Sequence, residues 1–457
     1  MKTAVILAAG KGTRIWPYAE VKPKVMIPVA NRPVIFYNIE KLQELGFDTI
    51  IIAASAMKEQ IVNYYRNILC VKVVDVGQTA GAACSLYAVR DYIREETFLV
   101  LYGDTILEKA DIAALVSRVE SGDEASYALV SPLRNESSGD WVCCSLNGGF
   151  IENILGHPRE DCTHRFCAFA FHKEFFKYLE TNAGIFKNVQ VGMMSPTEAY
   201  IEMSVADFIR DGRKVSAIET TKYFIDMDKP WHILEANDFL VETKCRELSG
   251  NVLGEDAILD PTAQVRGYVC LGRGSVIGRN VIINGSVIIE NNTIIENGAI
   301  IDGNAVIGSD CYIGNYCYIS GGSSIGDRCV VNHCAELDGI IMECVYLYHY
   351  MEFYGIIGNN TDLGAATVCG TLRFDDGSTM HRIKSRKELP RNHSNATYLG
   401  DYCRTGVNTI LMPGCKVGPY SIIGPGVLLH EDVPNGTLVM LKQELVKSKW
   451  GHEKYGW

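Results

Sequence analysis

The chain has 457 residues, of which 47% are hydrophobic and 21% are charged, and its formal net charge is −11. This length suggests two or three domains. No apolar run reaches the roughly 18 residues of a membrane span, and the anionic balance argues against nucleic acid binding as the main task. We expect a cytoplasmic protein whose sixteen cysteines, none in a CxxC motif, are reduced thiols.

The first half of the chain alternates between two patterns of apolar residues. Short apolar runs predict strands, and amphipathic stretches predict helices; the strands are expected at 4–7, 49–53, 72–76 and 98–101, and the helices near 34–45, 58–69 and 82–93. This alternation predicts a mainly parallel sheet covered by helices. Ligands of such sheets bind at the carboxyl ends of the strands.

The first predicted strand runs directly into a glycine turn. The sequence from Leu7 to Arg14 is LAAGKGTR. It lacks the GK[ST] ending of a Walker A loop and the GxGxxG spacing of a dinucleotide site. A glycine turn after a buried strand nevertheless exposes backbone N–H groups, which suit phosphate.

Several motifs that follow this turn, in order, resemble those of the sugar-phosphate nucleotidyltransferases. The turn together with Lys22-Pro23-Lys24 resembles the start motif of that family. The segment 77–81 (GQTAG) resembles its base-reading loop. The segments ending at Asp104 and containing Asp226 resemble its two metal-binding carboxylates. The resemblance implies a Rossmann-like α/β domain.

This resemblance also implies a reaction and a set of residue roles. A sugar 1-phosphate attacks the α-phosphorus of a nucleoside triphosphate, and pyrophosphate leaves. By resemblance, Asp104 and Asp226 hold Mg²⁺, Arg14 contacts the β- and γ-phosphates, and Lys24 orients the sugar phosphate. The implied nucleotide-binding residues are Leu7, Ala9, Gly10, Lys11, Gly12, Thr13, Gln78, Thr79, Gly81 and Gly103.

The predicted sugar pocket departs from the family pattern. Trp141, His157 and Phe166 stand near positions where the family places small or polar residues, Glu198 lies near its later acidic motif, and Asp228 replaces a frequent glycine. One hypothesis is a substrate of unusual shape, such as a non-hexose phosphate. The other is a non-catalytic regulatory or assembly paralogue. The retained charged residues at 14, 24, 104 and 226 favour activity, since unused buried charges cost stability.

The second half of the chain is a six-residue repeat. Leu, Ile or Val occupies every sixth position from Leu259 to Leu337, and a small or β-branched residue follows four positions later. A period of six predicts a short strand and a tight corner, repeated. It resembles the hexapeptide-repeat family, whose chains form a left-handed parallel β-helix. In that fold Cys311, Cys317 and Cys329 are small interior residues.

The repeat is interrupted twice. Its phase breaks at Glu343, in a stretch rich in tyrosine, and is regained at Ile357; a loop at 373–397 interrupts it again. That loop is either solvated or a phosphate-binding site, because it carries a run of basic residues: His381, Arg382, Lys384, Arg386, Lys387 and Arg391.

The β-helix could carry a second activity. Bifunctional relatives use a histidine at a coil edge as general base for acetyl transfer from acetyl-CoA, and His349 lies close to that place. The alternative is a structural histidine in an aromatic cluster.

These observations predict four segments. They are a nucleotidyltransferase domain at 1–235, a linker helix at 236–252, a left-handed β-helix at 253–435 and a C-terminal tail at 436–457. The expected ligands are a nucleoside triphosphate, a sugar 1-phosphate and Mg²⁺, with acetyl-CoA as a co-substrate if the β-helix is catalytic. We expect no nucleic acid or membrane partner. A solenoid of this kind is expected to form a closed homo-oligomer, such as a trimer.

Overall fold

The computed structural model describes residues 1–122, 126–133, 138–156, 162–182, 184 and 198–452. The chain divides into two compact units. Unit 1 comprises residues 1–247 together with 382–388, and unit 2 comprises 248–381 and the chain from 389 onward. None of the helices within the described ranges is long and apolar enough to cross a membrane. All sixteen cysteines are free thiols.

A mixed sheet forms the centre of unit 1. Its nine strands, counted over the described residues, follow the order β5-β4-β1-β6-β11-β8-β12-β10-β9. The strands of the unit are β1 (Thr3–Ala8), β2 (Pro28–Val29), β3 (Arg32–Pro33), β4 (Thr49–Ala54), β5 (Val71–Asp75), β6 (Thr97–Tyr102), β7 (Thr105–Leu107), β8 (Tyr127–Pro132), β9 (Val142–Asn147), β10 (Phe150–Gly156), β11 (His164–His172), β12 (Ser216–Glu219) and β13 (Phe224–Asp226).

The described part of unit 1 also contains seven α-helices. They are α1 (Val34–Glu44), α2 (Lys58–Tyr65), α3 (Ala82–Ala88), α4 (Lys109–Ser121), α5 (Phe176–Glu180), α6 (Ile201–Arg210) and α7 (Pro230–Arg246). Helix α7 begins with a proline at its first turn, where the missing N–H costs nothing. The predicted domain boundaries at 235, 252 and 435 stay predictions.

The predicted strands and helices of the first hundred residues are all present. Helix α2 ends earlier than predicted, and a 3-10 turn at Arg90–Tyr92 completes the predicted third helix. The prediction of a mainly parallel sheet is wrong for the rest of unit 1. Strands β5, β4, β1 and β6 are parallel, but β11 runs antiparallel to both β6 and β8. Consequently β11 starts at the edge of the sheet where β1 and β6 end.

Unit 2 is a parallel β-helix. The regular coils contain 18 residues, so that each residue lies beside its equivalent one coil away. The apolar repeat residues from Leu271 to Leu337 point inward and are buried, as are Cys311, Cys317 and Cys329. Residues such as Asn280 and Asn292 adopt positive φ at its corners, a conformation that asparagine tolerates.

The strands of the β-helix are short. In chain order they are β14 (Val252–Leu253), β15 (Ile258–Leu259), β16 (Gln264–Val265), β17 (Val269–Leu271), β18 (Val276–Ile277), β19 (Ile282–Ile283), β20 (Val287–Ile289), β21 (Ile294–Ile295), β22 (Ile300–Asp302), β23 (Ala305–Ile307), β24 (Tyr312–Ile313), β25 (Tyr318–Ser320), β26 (Ser324–Ile325), β27 (Val330–Val331), β28 (Glu336–Ile341), β29 (Tyr346–Leu347), β30 (Glu352–Ile357), β31 (Asp362–Leu363), β32 (Val368–Cys369), β35 (Thr397–Leu399), β36 (Arg404–Thr405), β37 (Ile410–Leu411), β38 (Lys416–Val417), β39 (Ile422–Ile423), β40 (Leu428–Leu429) and β41 (Leu438–Val439).

The phase break at Glu343 is not a break in the solenoid. The coils in this region contain 16 residues instead of 18, and the strand ladder continues through Val331, Leu347 and Leu363. Two residues are lost from each coil without loss of an interior apolar position. The repeat therefore changes period while the interior ladder remains intact.

The second interruption is an insertion of the predicted kind. Two strands, β33 (His381–Ile383) and β34 (Arg386–Glu388), pair within it. Most of its basic side chains are exposed, but His381 is buried and its Nε2 lies 2.7 Å from the carbonyl oxygen of Ser394. Burial lowers the pKa of His381 to about 4. His381 is therefore a neutral structural histidine and not part of an exposed basic run.

Candidate active site

The carboxyl ends of β1 and β6 and the start of β11 surround a cavity of about 160 Å³ in unit 1. Residues from widely separated parts of the sequence line it: Arg14, Lys24, Tyr102, Asp104, Thr105, Trp141, Val142, Arg165, Phe166, Phe224, Asp226 and Asp228. The set includes three cationic and three carboxylate side chains. It brings together both predicted catalytic residues of this unit, both predicted metal ligands, and Trp141 and Phe166 of the predicted sugar pocket.

The glycine turn connects β1 to the cavity. Gly12 has φ +61°, and a Cβ there would lie 2.7 Å from Cβ of Ala19, so that only glycine fits this backbone. Gly103 N–H donates to the carbonyl oxygen of Leu7, which fixes the end of β6 against the end of β1. Gly10, Lys11 and Thr13 are exposed, and Ala9 and Gly12 are half-buried. The turn can therefore present backbone N–H groups to a ligand.

The other predicted nucleotide-binding loop precedes α3. Gln78 is exposed, and Thr79 Oγ1 lies 2.7 Å from Oγ of Ser85. Gly81 caps α3, and the backbone on each side of it is held by Ala199. The loop is thus anchored at its end while its middle remains open to a ligand.

Ion pairs hold the cationic residues of the cavity. Lys24 Nζ lies 2.6 Å from Oδ2 of Asp104 and 3.5 Å from Oδ1 of Asp228, and Arg14 Nη1 lies 3.1 Å from Oδ2 of Asp228. Burial disfavours the charge of Lys24, but Asp104 and Asp228 outweigh it and raise the pKa of Lys24 above its usual value. Both cations are therefore charged at neutral pH.

Asp104 and Asp226 form an acidic pair that fits a divalent cation. Burial, and then the charge of Asp104, raise the pKa of Asp226 to about 7. A cation held beside neighbouring carboxylates favours their charged forms. No group of three or more His, Cys, Asp or Glu side chains suited to a metal occurs in the described part of the chain. Mg²⁺, which keeps waters and binds phosphates, needs no more than such a pair.

Asp228 lies between the two cationic residues, a role that its replacement of a frequent glycine did not predict. It accepts a hydrogen bond from Arg14, and Lys24 lies beside it. Although burial opposes ionisation, Lys24 and Arg14 hold the pKa of Asp228 below its usual value. The backbone N–H of Asp228 also donates to Nδ1 of His232. Burial and Lys229 lower the pKa of His232 to about 3, so this histidine is neutral.

Two glutamates four positions apart, of which only Glu198 was assigned to the predicted sugar pocket, differ in burial. Glu198 is exposed, whereas Glu202 on α6 is buried. Burial raises the pKa of Glu202 to about 7. Its carboxyl group lies against the backbone of Gly156, where a Cβ would overlap it. His157, also assigned to this pocket, lies outside the described residues.

A second cluster of possible catalytic groups lies in unit 2. His349 Nδ1 is 2.8 Å from Nδ1 of His333, one coil earlier, and Tyr350 packs edge-on against the His333 ring at 5.0 Å between centroids. His349 is half-buried. His333 was not predicted, because the 16-residue coil that aligns the two histidines was not apparent from the six-residue repeat.

Three family models match parts of this chain. They are "Nucleotidyl transferase" over residues 3–141, "GMPPB C-terminal domain" over 249–344 and "Bacterial transferase hexapeptide (six repeats)" over 396–431. The first lies in unit 1, and the other two lie in unit 2.

Curated relatives match the chain over nearly its whole length. "Bifunctional protein GlmU" of Methanococcus maripaludis strain C7 is 34% identical over 457 residues, covering 98% of this chain and 99% of the relative. The protein of the same name from Methanocaldococcus jannaschii is 30% identical over 452 residues, with the same coverage. The chain belongs to the family of bifunctional GlmU proteins.

Another relative carries a more general description. The "Bifunctional sugar-1-phosphate nucleotidylyltransferase/acetyltransferase" of Sulfurisphaera tokodaii is 26% identical over 440 residues, covering 95% of this chain and 98% of the relative. Membership of the GlmU family confirms the predicted combination of a nucleotidyltransferase domain and a hexapeptide-repeat β-helix. It also confirms, at the level of the family, that this is a nucleotidyltransferase-type enzyme and not only an assembly protein.

Proposed function

We propose that unit 1 transfers a nucleotidyl group from a nucleoside triphosphate to a sugar 1-phosphate and releases pyrophosphate. The observation that carries this proposal is the cavity in which Arg14 and Lys24 meet Asp104 and Asp226 beside a glycine turn. Phosphoryl-type transfer needs alignment of the reactants and neutralisation of negative charge more than covalent help from the protein. This residue set supplies both.

The chemistry assigns a place to each group. An oxygen of the acceptor phosphate forms a bond to the α-phosphorus, and the bond from that phosphorus to the β-phosphate oxygen breaks. Mg²⁺, held by Asp104 and Asp226, would neutralise the phosphates during this exchange. Arg14, one-third exposed at the cavity, binds the departing pyrophosphate. Lys24, largely buried and charged at neutral pH, orients the reacting phosphates.

A grid of substrates tests this proposal. Pyrophosphate release is measured with Mg²⁺ for the four nucleoside triphosphates against a panel of sugar 1-phosphates, amino sugars included. We expect release with at least one pair, and a fall of roughly 10² or more in Asp104→Asn. The control is Asp91→Asn, an exposed carboxylate, which should match the wild type. The absence of pyrophosphate release with every pair, or full activity of Asp104→Asn, would contradict the proposal.

We propose acetyl transfer from acetyl-CoA as a second activity, located at His349. The supporting observation is the short contact between Nδ1 of His349 and Nδ1 of His333. If the His349 Nδ1–H donates in this contact, its Nε2 is unprotonated. A neutral imidazole with a free Nε2 is a suitable base for an amine near neutral pH.

Two variants separate this activity from nucleotidyl transfer. His349→Ala should lose thiol release from acetyl-CoA with an amino sugar phosphate, yet keep pyrophosphate release. Asp104→Asn should show the opposite pattern. His333→Asn should weaken acetyl transfer and change its pH profile, because it alters which nitrogen of His349 carries the proton. Acetyl transfer that persists in His349→Ala would exclude this histidine as the base.

We also propose a homo-oligomer that works in the cytoplasm. Exposed apolar side chains on one ladder of the β-helix, among them Ile258, Ile294 and Leu438, support self-association. The sixteen free cysteines are compatible with a reducing compartment.

A further inference from the structure

A cluster of planar side chains forms one wall of the cavity in unit 1. The Trp141 ring stacks on the His232 ring, with 5.4 Å between centroids and 24° between planes. The guanidinium carbon of Arg165 lies 3.7 Å from the centroid of Trp141 and 4.5 Å from that of Phe224. These contacts fix the plane of the guanidinium group.

Arg165 is a cation in an unusual setting. Only 5% of the residue is exposed, yet it lines the cavity together with Asp226, whose Oδ2 is 3.7 Å from its Nη2. A buried guanidinium is costly unless its surroundings favour the charge. Aromatic faces do so, and they leave the N–H donors pointing along the edges of the guanidinium plane. Arg165 is therefore held in a geometry suited to planar recognition of an oxyanion.

The position of Arg165 in the sheet indicates which oxyanion it meets. The order of neighbouring strands is β1, β6, β11. The glycine turn follows β1, Asp104 follows β6, and Arg165 is the second residue of β11, which starts at the same edge of the sheet. Arg165 thus lies across the candidate metal ligands from the glycine turn. A nucleotide on the turn side leaves the β11 side of the cavity to the second substrate.

We infer that Arg165 binds the phosphate group of the acceptor sugar 1-phosphate, with Trp141 and Phe224 as positioning residues. This inference rests on the proposed nucleotidyl transfer. Two anionic phosphates must approach within bonding distance in this reaction. Arg14 and Lys24 are already bound to Asp228 and Asp104, and Arg165 adds a third positive charge on the acceptor side. Its planar donors also fix the direction in which the phosphate oxygen attacks.

The kinetic test compares Arg165→Lys with Arg210→Lys. The first change keeps the charge but removes the planar fork, and the second alters an exposed arginine of α6. We expect Arg165→Lys to raise KM for the sugar 1-phosphate roughly ten- to a hundred-fold, with KM for the nucleotide within about two-fold of the wild type. Arg210→Lys should change neither. Unchanged KM for the acceptor, or equal increases in both constants, would overturn the assignment.

A binding test decides the assignment independently of turnover. Glucose 1-phosphate and inorganic phosphate are titrated calorimetrically into the wild type and into Arg165→Lys, each with Mg²⁺ and a non-hydrolysable nucleotide present. We expect weaker binding of both probes to the variant, and an unchanged melting temperature. Equal affinities, or a wild type that binds neither probe, would overturn it. If no pair of substrates reacts but Arg165→Lys loses phosphate binding, the proposed function fails while Arg165 is still shown to bind phosphate.

Discussion

Asp228 is the side chain that connects the two cationic residues of the cavity. Its carboxylate receives Arg14 at 3.1 Å and faces Lys24 at 3.5 Å, while its backbone N–H orients the neutral His232 ring. Because Asp228 is shared, the positions of Arg14 and Lys24 depend on each other. A substrate phosphate that binds Arg14 would compete with this carboxylate. Ligand binding would therefore weaken the ion pair between Arg14 and Asp228.

Arg14→Ala tests the contribution of that contact to turnover. The variant lacks the charge that we assign to the departing pyrophosphate, so kcat should fall by roughly 10². Arg66→Ala, which removes an exposed arginine at the end of α2, is the matched control and should leave kcat unchanged. Steady-state pyrophosphate release measures both. Equal rates in the two variants would remove Arg14 from the mechanism.

The buried carboxyl group of Glu202 should make the stability of the folded protein depend on pH. Its pKa is near 4.5 when the chain is unfolded and about 7 in the folded protein, where burial disfavours its charge. Between these values the folded state keeps a proton that the unfolded state has released, so this residue lowers stability as pH rises from 4.5 to 7. Glu202→Gln removes the effect and should gain on the order of 3 kcal/mol over the wild type across that range.

Thermal unfolding at a series of pH values measures this gain. The difference in melting temperature between Glu202→Gln and the wild type should grow from pH 4.5 to 7 and then stay constant. Glu180→Gln, at an exposed position, should show no such trend. A difference that does not change with pH would show that Glu202 titrates normally in the folded protein.

The site was predictable only where a motif lies in one short segment. The glycine turn, Asp104 and Asp226 each follow a recognisable run of residues, and the cavity brings them together. The sequence marks Asp228 only as the replacement of a frequent glycine, and it gives Arg165 no role. Asp228 meets Arg14 across 214 positions of sequence. Arg165 acquires its setting from Trp141, which directly precedes β9, and from Phe224 on β13. Contacts of this range arise only from the fold.

At the level of the elements, apolar periodicity predicted the β-helix but not the change in the number of residues per coil. The repeat residues from Leu271 to Leu337 lie inside, as the six-residue period required. Around Glu343 the coils contain 16 residues. A strict six-residue period therefore misses the interior positions there, although Leu347 and Leu363 continue the ladder. In unit 1 the alternation of strands and helices predicted the parallel strands. The antiparallel strands show no such alternation in the sequence, so they were not predicted.

The shortened coils depend on glycine at one strand position. Gly339 and Gly355 are neighbours on β28 and β30 with φ of +122° and +134°. A Cβ on Gly355 would overlap the carbonyl oxygen of Thr397 on β35. Gly355→Ala combines this overlap with an unfavourable backbone conformation, and it should destabilise these coils by about 2 kcal/mol or more.

Hydrogen exchange locates the expected damage. In Gly355→Ala the backbone amides of β28, β30 and β35 should exchange faster, while those of β1 and β4 in unit 1 stay protected. Gly250→Ala is the control, because a Cβ there meets nothing within 4 Å. Unchanged protection in the first variant would show that the ladder accommodates a side chain at this position.

At the level of the whole molecule, the β-helix has more apolar surface than one chain covers. The ladder from β15 to β41 runs through the unit without interruption. Several of its outward side chains are exposed isoleucines or leucines: Ile258 at 55%, Ile294 at 41%, Ile422 at 44% and Leu438 at 64%. The charged pair Asp362 and Arg404 interrupts these apolar positions near the end of the ladder. Exposed apolar surface of this kind favours burial against another molecule. Because every copy of the chain carries this surface, we propose that a second copy is the molecule that covers it.

Charged residues introduced on this ladder should therefore make the oligomer dissociate. We expect the wild type to scatter light as a closed oligomer at micromolar concentration, and the Ile258→Glu/Ile294→Glu double variant to have a smaller mass. The matched control is Val368→Glu/Leu428→Glu, on another ladder of the β-helix whose outward positions already include Glu336 and Glu352. Because that ladder already carries charge, the oligomer should persist. Pyrophosphate release should survive both changes, since unit 1 contains the whole cavity. A monomeric wild type, or an unchanged mass in the first variant, would mean that this surface does not hold copies of the chain together.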